Sequence, residues 1–298
     1  MQYAAHADFV APARRHPALW RLGAGLVLVT VVYVLGVAVI FGLLVAVAGF
    51  EGATRWMGRM AAAETPTATL LVLSTFVGMG LGPMLAARLL HRRSLASLFG
   101  PWARLLRHFV IAALICALLN GLTALIPTGL VPVENLQPGL WAAFLPLALV
   151  SILVQTGAEE ILFRGYLQTQ LAARFASPVM WMVLPSALFA LLHYQPGIMG
   201  ENAWIVVGAV FVFALCAADL TARTGTIGAA WGFHFANNAV AILFLALEGP
   251  LSGLALYTLP MDSVPAAELR PMLVTGIGVT LAIWLAIRFA TRPRFSVS

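Results

Sequence analysis

Long apolar runs separated by short polar segments dominate the chain, and eight of them are long enough to predict membrane-spanning helices. A membrane segment has to satisfy its own backbone hydrogen bonds, so each run is expected to be an α-helix rather than a strand. The predicted spans cover residues 19–47, 67–90, 108–127, 140–163, 178–195, 203–222, 227–247 and 271–290. The pattern therefore predicts an all-α, polytopic membrane helix bundle that forms a single domain over residues 1–298.

The arginines predict how this bundle is oriented. With the N-terminus in the cytoplasm, fourteen of the 17 arginines fall on the cytoplasmic side, whereas Arg55, Arg59 and Arg270 fall outside. Cytoplasmic loops of membrane proteins carry such an excess of positive charge. We therefore expect eight spans with both termini in the cytoplasm.

The composition supports a membrane protein and gives no sign of a nucleic-acid partner. The chain is 61% apolar and only 9% charged, whereas a soluble domain is about 25% charged. Its net charge of +6 comes from arginines that flank apolar segments, and every basic residue is arginine. The absence of lysine is typical of a GC-rich genome, so we expect the inner (plasma) membrane of a bacterium.

A few ionisable and amide residues lie inside these apolar spans. Each charge at bilayer depth costs roughly 2.5–3.5 kcal/mol, so such residues usually have a partner or a function. They occupy the fourth span, the end of the fifth and the seventh: Glu159, Glu160, Arg164, His193, His234 and Asn238.

The two glutamates of the fourth span are predicted to have different roles. Glu160 and Arg164 are i,i+4 neighbours with the acid on the N-terminal side, so Arg164 can neutralise Glu160. Glu159 points about 100° away and lacks this partner, which suits a general base. The alternative for Glu160 and Arg164 is a buried structural ion pair, and we favour it for these two.

Chain spacing predicts that Glu159 and His193 lie at the same depth. Both are 17 residues from Ala176, in the turn at 175–178, and 17 helical residues rise roughly 25 Å. The two side chains can therefore meet across an antiparallel helix pair. The same alignment predicts that the polar residues 168–170 project into the cytosol.

The seventh span carries a second set of polar side chains. His234 and Asn238 share one helix face at i,i+4, and Asn237 at i+3 lies near it, so spacing alone does not choose between the amides. Hydrogen bonding between helices is the structural alternative for these residues.

Glu-Glu-x3-Arg, Phe-x3-His and His-x3-Asn, in this order on successive spans, resemble the motifs of the CPBP family. That family comprises type II CAAX prenyl proteases and related bacteriocin-processing and immunity proteins. The resemblance covers residues 140–247, which we expect to form the catalytic core.

The resemblance implies an intramembrane endopeptidase. By its motifs, Glu159 would activate the attacking water and His193 would help to hold it. His234 and Asn238 would stabilise the oxyanion, and the family spacing selects Asn238 over Asn237. The supporting residues would be Glu160, Arg164 and Phe189.

The cofactor stays open between no metal and Zn²⁺. Glu159, His193 and His234 could supply the three protein ligands of a catalytic zinc site. His-Glu-x2-His is absent, however, and carboxamides are poor zinc ligands. We favour metal-free, glutamate-activated water.

The expected partners are the lipid bilayer and a protein or peptide substrate in or at the membrane. A non-catalytic immunity factor or membrane regulator is the alternative, and it would tolerate Glu159→Gln. A transporter or proton pathway is a third reading, because intramembrane carboxylates also mark those. Asp219 and Arg223 form a further i,i+4 pair, predicted to be an interfacial cap rather than a relay.

Overall fold

The computed structural model describes residues 3–126, 131–260 and 266–292. Helices make up 82% of the structure, which confirms the predicted all-α, polytopic membrane bundle. The final residue of the third predicted span, 127, lies outside the described residues. The treatment of the chain as one domain with a core at 140–247 stays a prediction.

Eleven helices follow one another along the described parts of the chain. They are α1 Ala4–Val10, α2 Leu19–Ala62, α3 Pro66–Leu89, α4 Trp102–Thr123, α5 Pro138–Glu160, α6 Thr169–Arg174, α7 Leu184–Leu191, α8 Pro196–Met199, α9 Ala203–Thr224, α10 Gly228–Leu243 and α11 Ala266–Ala290. The π-helical segment Ile161–Gln168 joins α5 to α6, and a second one, Val179–Val183, leads into α7. Helix α5 and its continuation therefore run without interruption from Pro138 to Arg174.

Three short strands connect the helix ends. They are β1 Val133–Glu134, β2 Leu245–Leu247 and β3 Tyr257–Leu259, in the order β1-β3-β2. Thr258 on β3 lies opposite Val133 in the antiparallel pair and opposite Ala246 in the parallel pair. The sheet therefore ties the segment before α5 to the segments after α10.

Six helical segments are long and apolar enough to cross a membrane. The two remaining predicted spans, 178–195 and 227–247, contain shorter helices, of which α10 has 16 residues. Sixteen residues rise about 24 Å, less than the roughly 30 Å of a bilayer core. The number of spans and the position of the termini stay predictions.

Helix α2 forms part of the outer surface of the bundle. None of the residues in its most apolar window is buried, and Val31, Val39 and Leu43 are all exposed. An apolar surface of this kind is expected to face lipid. The helix is interrupted at Gly49, whose φ of 69° is non-helical, so the predicted end of this span at residue 47 lies close to the break.

Close helix packing positions α10. A Cβ at Gly232 would collide with the backbone carbonyl of Phe109 on α4. A Cβ at Gly157 of α5 would lie 2.7 Å from Cζ2 of Trp231 on α10. Glycine at both points lets α10 approach α4 and α5 closely, and both contacts lie within two residues of a predicted site residue.

The predicted cytosolic hairpin is wrong. Gln168, Thr169 and Gln170 are no more than 2% exposed, because helix α1 packs over this region. The Gln168 amide donates to the carbonyl of Ala218 at 3.2 Å and to Nε2 of His6 at 3.5 Å. An N-terminal helix that covers these side chains was not predicted from the sequence.

The predicted Asp219–Arg223 pair is also absent from the described ion pairs. Tyr3 Oη donates to Asp219 at 2.8 Å and Trp284 Nε1 donates at 2.9 Å. Arg288 forms the ion pair with Asp219, with Nε 3.4 Å from Oδ2. Asp219 therefore joins α1, α9 and α11 instead of capping its own helix.

Candidate active site

Glu160 is the buried anchor of the site. Its Oε1 accepts from Nη1 of Arg164 at 2.9 Å and from Nδ1 of His234 at 2.8 Å. Nη2 of Arg164 donates to the carbonyl of Ala214 on α9 at 3.2 Å. Glu160 and Arg164 are 0% and 2% exposed, so each buried charge is compensated by the other, as buried ions require. The predicted i,i+4 pair is formed.

Glu159 faces the same histidine from the other side. Its Oε2 lies 3.3 Å from Nε2 of His234, and the residue is 8% exposed. A carboxylate oxygen accepts, so the short contact to Glu160 places a proton on Nδ1 of His234. Nε2 is then the nitrogen that faces Glu159. The sequence predicted no arginine partner for Glu159, but it did not predict this bridging histidine.

His193 lies beside Glu159 with a defined tautomer. Its Nδ1 is 2.9 Å from the carbonyl oxygen of Phe189, and a carbonyl only accepts. Nδ1 therefore carries the proton and Nε2 presents a lone pair. His193 interacts electrostatically with Glu159. The structure thus brings these two side chains into one site, as the hairpin spacing predicted.

Phe189 is the packing centre of these polar groups. Its ring centroid lies 4.8 Å from that of His193 and 5.9 Å from that of His234. The Arg164 guanidinium carbon lies 5.0 Å from the same ring centroid, within the range of a cation–π contact. Phe163 packs edge-on at 5.0 Å. Phe189 therefore holds both imidazoles and the arginine in place.

Asn238, rather than Asn237, faces this site. Nδ2 of Asn238 donates to Oε1 of Gln155 at 3.0 Å, and Gln155 also makes a side-chain hydrogen-bond contact with Glu159. Asn237 contacts Asn238 at 3.5 Å. Sequence reasoning missed Gln155, although its position four residues before Glu159 puts both on one face of α5.

The described side chains do not fit a three-ligand zinc site. Nε2 of His234 and Oε2 of Glu159, 3.3 Å apart, are close enough to share an ion, and Glu160 on Nδ1 suits an outer-shell partner. Within the described residues, however, no group of three or more His, Cys, Asp or Glu side chains is arranged to hold a metal. A catalytic zinc usually takes three protein ligands.

Comparisons with known proteins bear on this site. The profile of the Rce1-like family, described as type II CAAX prenyl endopeptidase, matches residues 140–240. A similar protein is the uncharacterized protein YyaK of Bacillus subtilis (strain 168), with 23% identity over 252 residues, covering 83% of this chain and 84% of that protein. No solved structure matches the chain.

The matched region contains every side chain described in this site, from Gln155 to Asn238. It also contains the three motifs in the order that the resemblance requires. These observations place the chain in the CPBP family of CAAX-type proteases, with the Rce1-like region at residues 140–240.

Proposed function

We propose that the chain is an intramembrane endopeptidase that hydrolyses peptide bonds of a membrane-associated protein or peptide with glutamate-activated water. One observation carries this proposal. Oε2 of Glu159 is buried without a hydrogen-bond partner among the described residues, and His193 beside it presents a free imidazole lone pair. Two acceptors at one point are suited to hold both hydrogens of a water molecule.

The first step is proton abstraction. Glu159 accepts one hydrogen of the water and His193 Nε2 accepts the other, which orients the water oxygen towards the substrate. As that oxygen bonds to the scissile carbonyl carbon, its proton moves to the Glu159 carboxylate. The carbonyl π electrons move to the oxygen and form a tetrahedral oxyanion.

The second step is stabilisation and collapse of this oxyanion. Asn238 uses one amide N–H for Gln155 and keeps a second N–H for the oxyanion. A doubly protonated His234 donates from Nε2 while Nδ1–H stays bound to Glu160, and the flanking carboxylates compensate its charge. Glu159 then returns its proton to the leaving amine as the C–N bond breaks.

The same proposal includes the location of the site. The excess of arginines on one side supports an opening towards the cytoplasm, and the Bacillus subtilis relative is consistent with a bacterial plasma membrane. Bacteria generally lack prenylated CAAX proteins, so the substrate named by the family is not carried over. A C-terminal peptide, a leader peptide or a membrane segment fits the site instead.

The test compares new peptide termini in membranes of cells that express wild type or Glu159→Gln at matched levels. Glu51→Gln is the control, because Glu51 has a side chain that is 92% exposed on α2, outside the site. We expect termini that appear with wild type and Glu51→Gln and disappear with Glu159→Gln. Identical termini and phenotypes for all three folded proteins would contradict catalysis and favour an immunity or regulatory binder.

A further inference from the structure

A basic cavity lies between the N-terminal helix and the ends of three other helices, away from the protease site. It has a volume of about 700 Å³, within the range of pockets that bind small ligands. Its walls come from α1, the start of α4, the end of α9 and the end of α11. Its charged and imidazole-bearing residues are Arg104, Arg107, Arg223, Arg292, His108 and Asp8.

The charges in this cavity are unbalanced. Four guanidiniums face one carboxylate, Asp8. Within the described parts of the chain, no ion pair joins any of these four arginines to an acidic side chain. The one hydrogen bond found there is to a neutral group, from Arg104 Nη1 to the Thr224 carbonyl at 3.3 Å. Like charges this close repel one another unless an anion lies between them.

Two buried nitrogens in the cavity lack partners. Nε of Arg223 and Nδ1 of His108 have no hydrogen-bond partner among the described residues. A buried polar atom left unsatisfied costs about 1–3 kcal/mol, and more when it carries charge. The positive-inside rule explains why arginines lie on this side of the membrane. It does not explain why side chains from three separate helices meet around one cavity.

We propose that this cavity binds a phosphate-bearing anion, either the headgroup of an anionic phospholipid or a soluble phosphate compound. A phosphate group offers several acceptor oxygens to guanidinium donors. It would satisfy the unpaired nitrogens and offset the arginine charge. Basic pockets at the cytoplasmic ends of membrane helices are suited to lipid headgroups. The bound anion would join α1 to the ends of α4, α9 and α11.

The test measures binding to the full chain in detergent by calorimetry. The probes are dihexanoyl-phosphatidylglycerol, dihexanoyl-phosphatidylcholine as the zwitterionic control, and inorganic pyrophosphate. The variants are Arg107→Gln/Arg223→Gln, Asp8→Asn, and Arg55→Gln/Arg59→Gln as the matched control outside the cavity. Phosphatidylcholine should not bind to any of them at this site.

We expect saturable binding of an anionic probe to wild type and to the control. Binding should be about tenfold or more weaker in Arg107→Gln/Arg223→Gln and tighter in Asp8→Asn, which removes the only acid facing the cavity in the described chain. Phosphatidylglycerol without pyrophosphate would identify a lipid site. Pyrophosphate without the lipid would identify a soluble ligand, and mutual displacement would show that the phosphate group suffices.

The proposal is overturned if neither anion binds to wild type, or if Arg107→Gln/Arg223→Gln binds as the control does. Asp8→Asn alters an exposed side chain and decides alone if the arginine variant does not fold. Tighter anion binding by Asp8→Asn then supports the cavity. Unchanged or weaker binding contradicts it.

Discussion

Gln155 accepts a hydrogen bond from Asn238 at 3.0 Å, so an amide on α5 orients the proposed oxyanion donor on α10. Gln155 also contacts Glu159. One side chain therefore connects the proposed base with the proposed oxyanion donor. The relative position of these two groups is determined by a residue that takes no proton itself.

Asn238→Ala should lower kcat by about 10²–10³-fold, because it removes one oxyanion donor. Asn237→Ala is the matched control, since its side chain contacts Asn238 at 3.5 Å and adds no contact to the site among the described hydrogen bonds. Initial rates on a cleaved peptide measure both variants. A larger loss at Asn237 would show that the wrong amide was assigned.

Gln155→Leu should lower kcat roughly tenfold with little change in KM, because it removes one orienting hydrogen bond. Gln155 and Asn238 act through the same bond, so Gln155→Leu/Asn238→Ala should be hardly worse than Asn238→Ala alone. Gln137→Leu, at the exposed start of α5, is the control. Fully additive losses in the double variant would argue against a positioning role.

Arg164→Ala should destabilise the protein by about 3–5 kcal/mol, because it leaves Glu160 buried and unpaired. Arg55→Ala removes the same i,i+4 pairing geometry at an exposed site, where Arg55 and Glu51 lie 3.7 Å apart with side chains 68% and 92% exposed. That pair should contribute about 0–1 kcal/mol. Denaturant titration in detergent compares the two, and equal losses would contradict the proposed burial of the Glu160 charge.

Stability should fall as the pH drops from about 6.5 to about 4, because burial, assisted by Arg14, lowers the pKa of His6 to about 4. In that range the unfolded chain binds a proton at His6 and the folded chain does not, so protonation favours unfolding. The stabilisation is complete above pH 6.5, and its loss is on the order of 3 kcal/mol.

His6→Phe tests this pH effect, because phenylalanine can keep the contact with Trp181, whose ring lies 4.5 Å away. Free energies of unfolding at pH 7.5 and 4.5 should differ less in the variant than in wild type. Some pH dependence should remain, because burial also lowers the pKa of His91. The same difference in both proteins would rule out His6 as its source.

Proteolysis should survive treatment with 1,10-phenanthroline, because the described site offers two metal ligands rather than three. Cleavage is measured with and without the chelator, and a zinc protease in the same detergent serves as the control for chelation. Activity that is lost with the chelator and restored by added Zn²⁺ would contradict the metal-free proposal.

Much of the bundle was predictable because apolar length and helical geometry are local properties of the chain. The break in α2 lies near its predicted end, and the turn between Arg174 and Val179 falls at the predicted position. Equal distances from that turn also brought Glu159 and His193 together. These features depend on rise per residue and little else.

The errors concern side chains whose partners lie far away in sequence. His6 covers Gln168 across 162 residues, and Tyr3 takes Asp219 across 216 residues. No periodicity predicts such contacts. Gln155 differs, because its position on the Glu159 face could have been recognised, although its bond to Asn238 could not.

The local pairing of Glu160 with Arg164 matters while the protein is being synthesised. His234 follows Glu160 by 74 residues, so the ribosome, at about 5–20 residues per second, makes it some 4–15 s later. During that interval Arg164, made four residues after Glu160, offsets its charge within the nascent helix. Glu159 has no such neighbour, so its contact with α10 has to wait until the later helix joins the bundle.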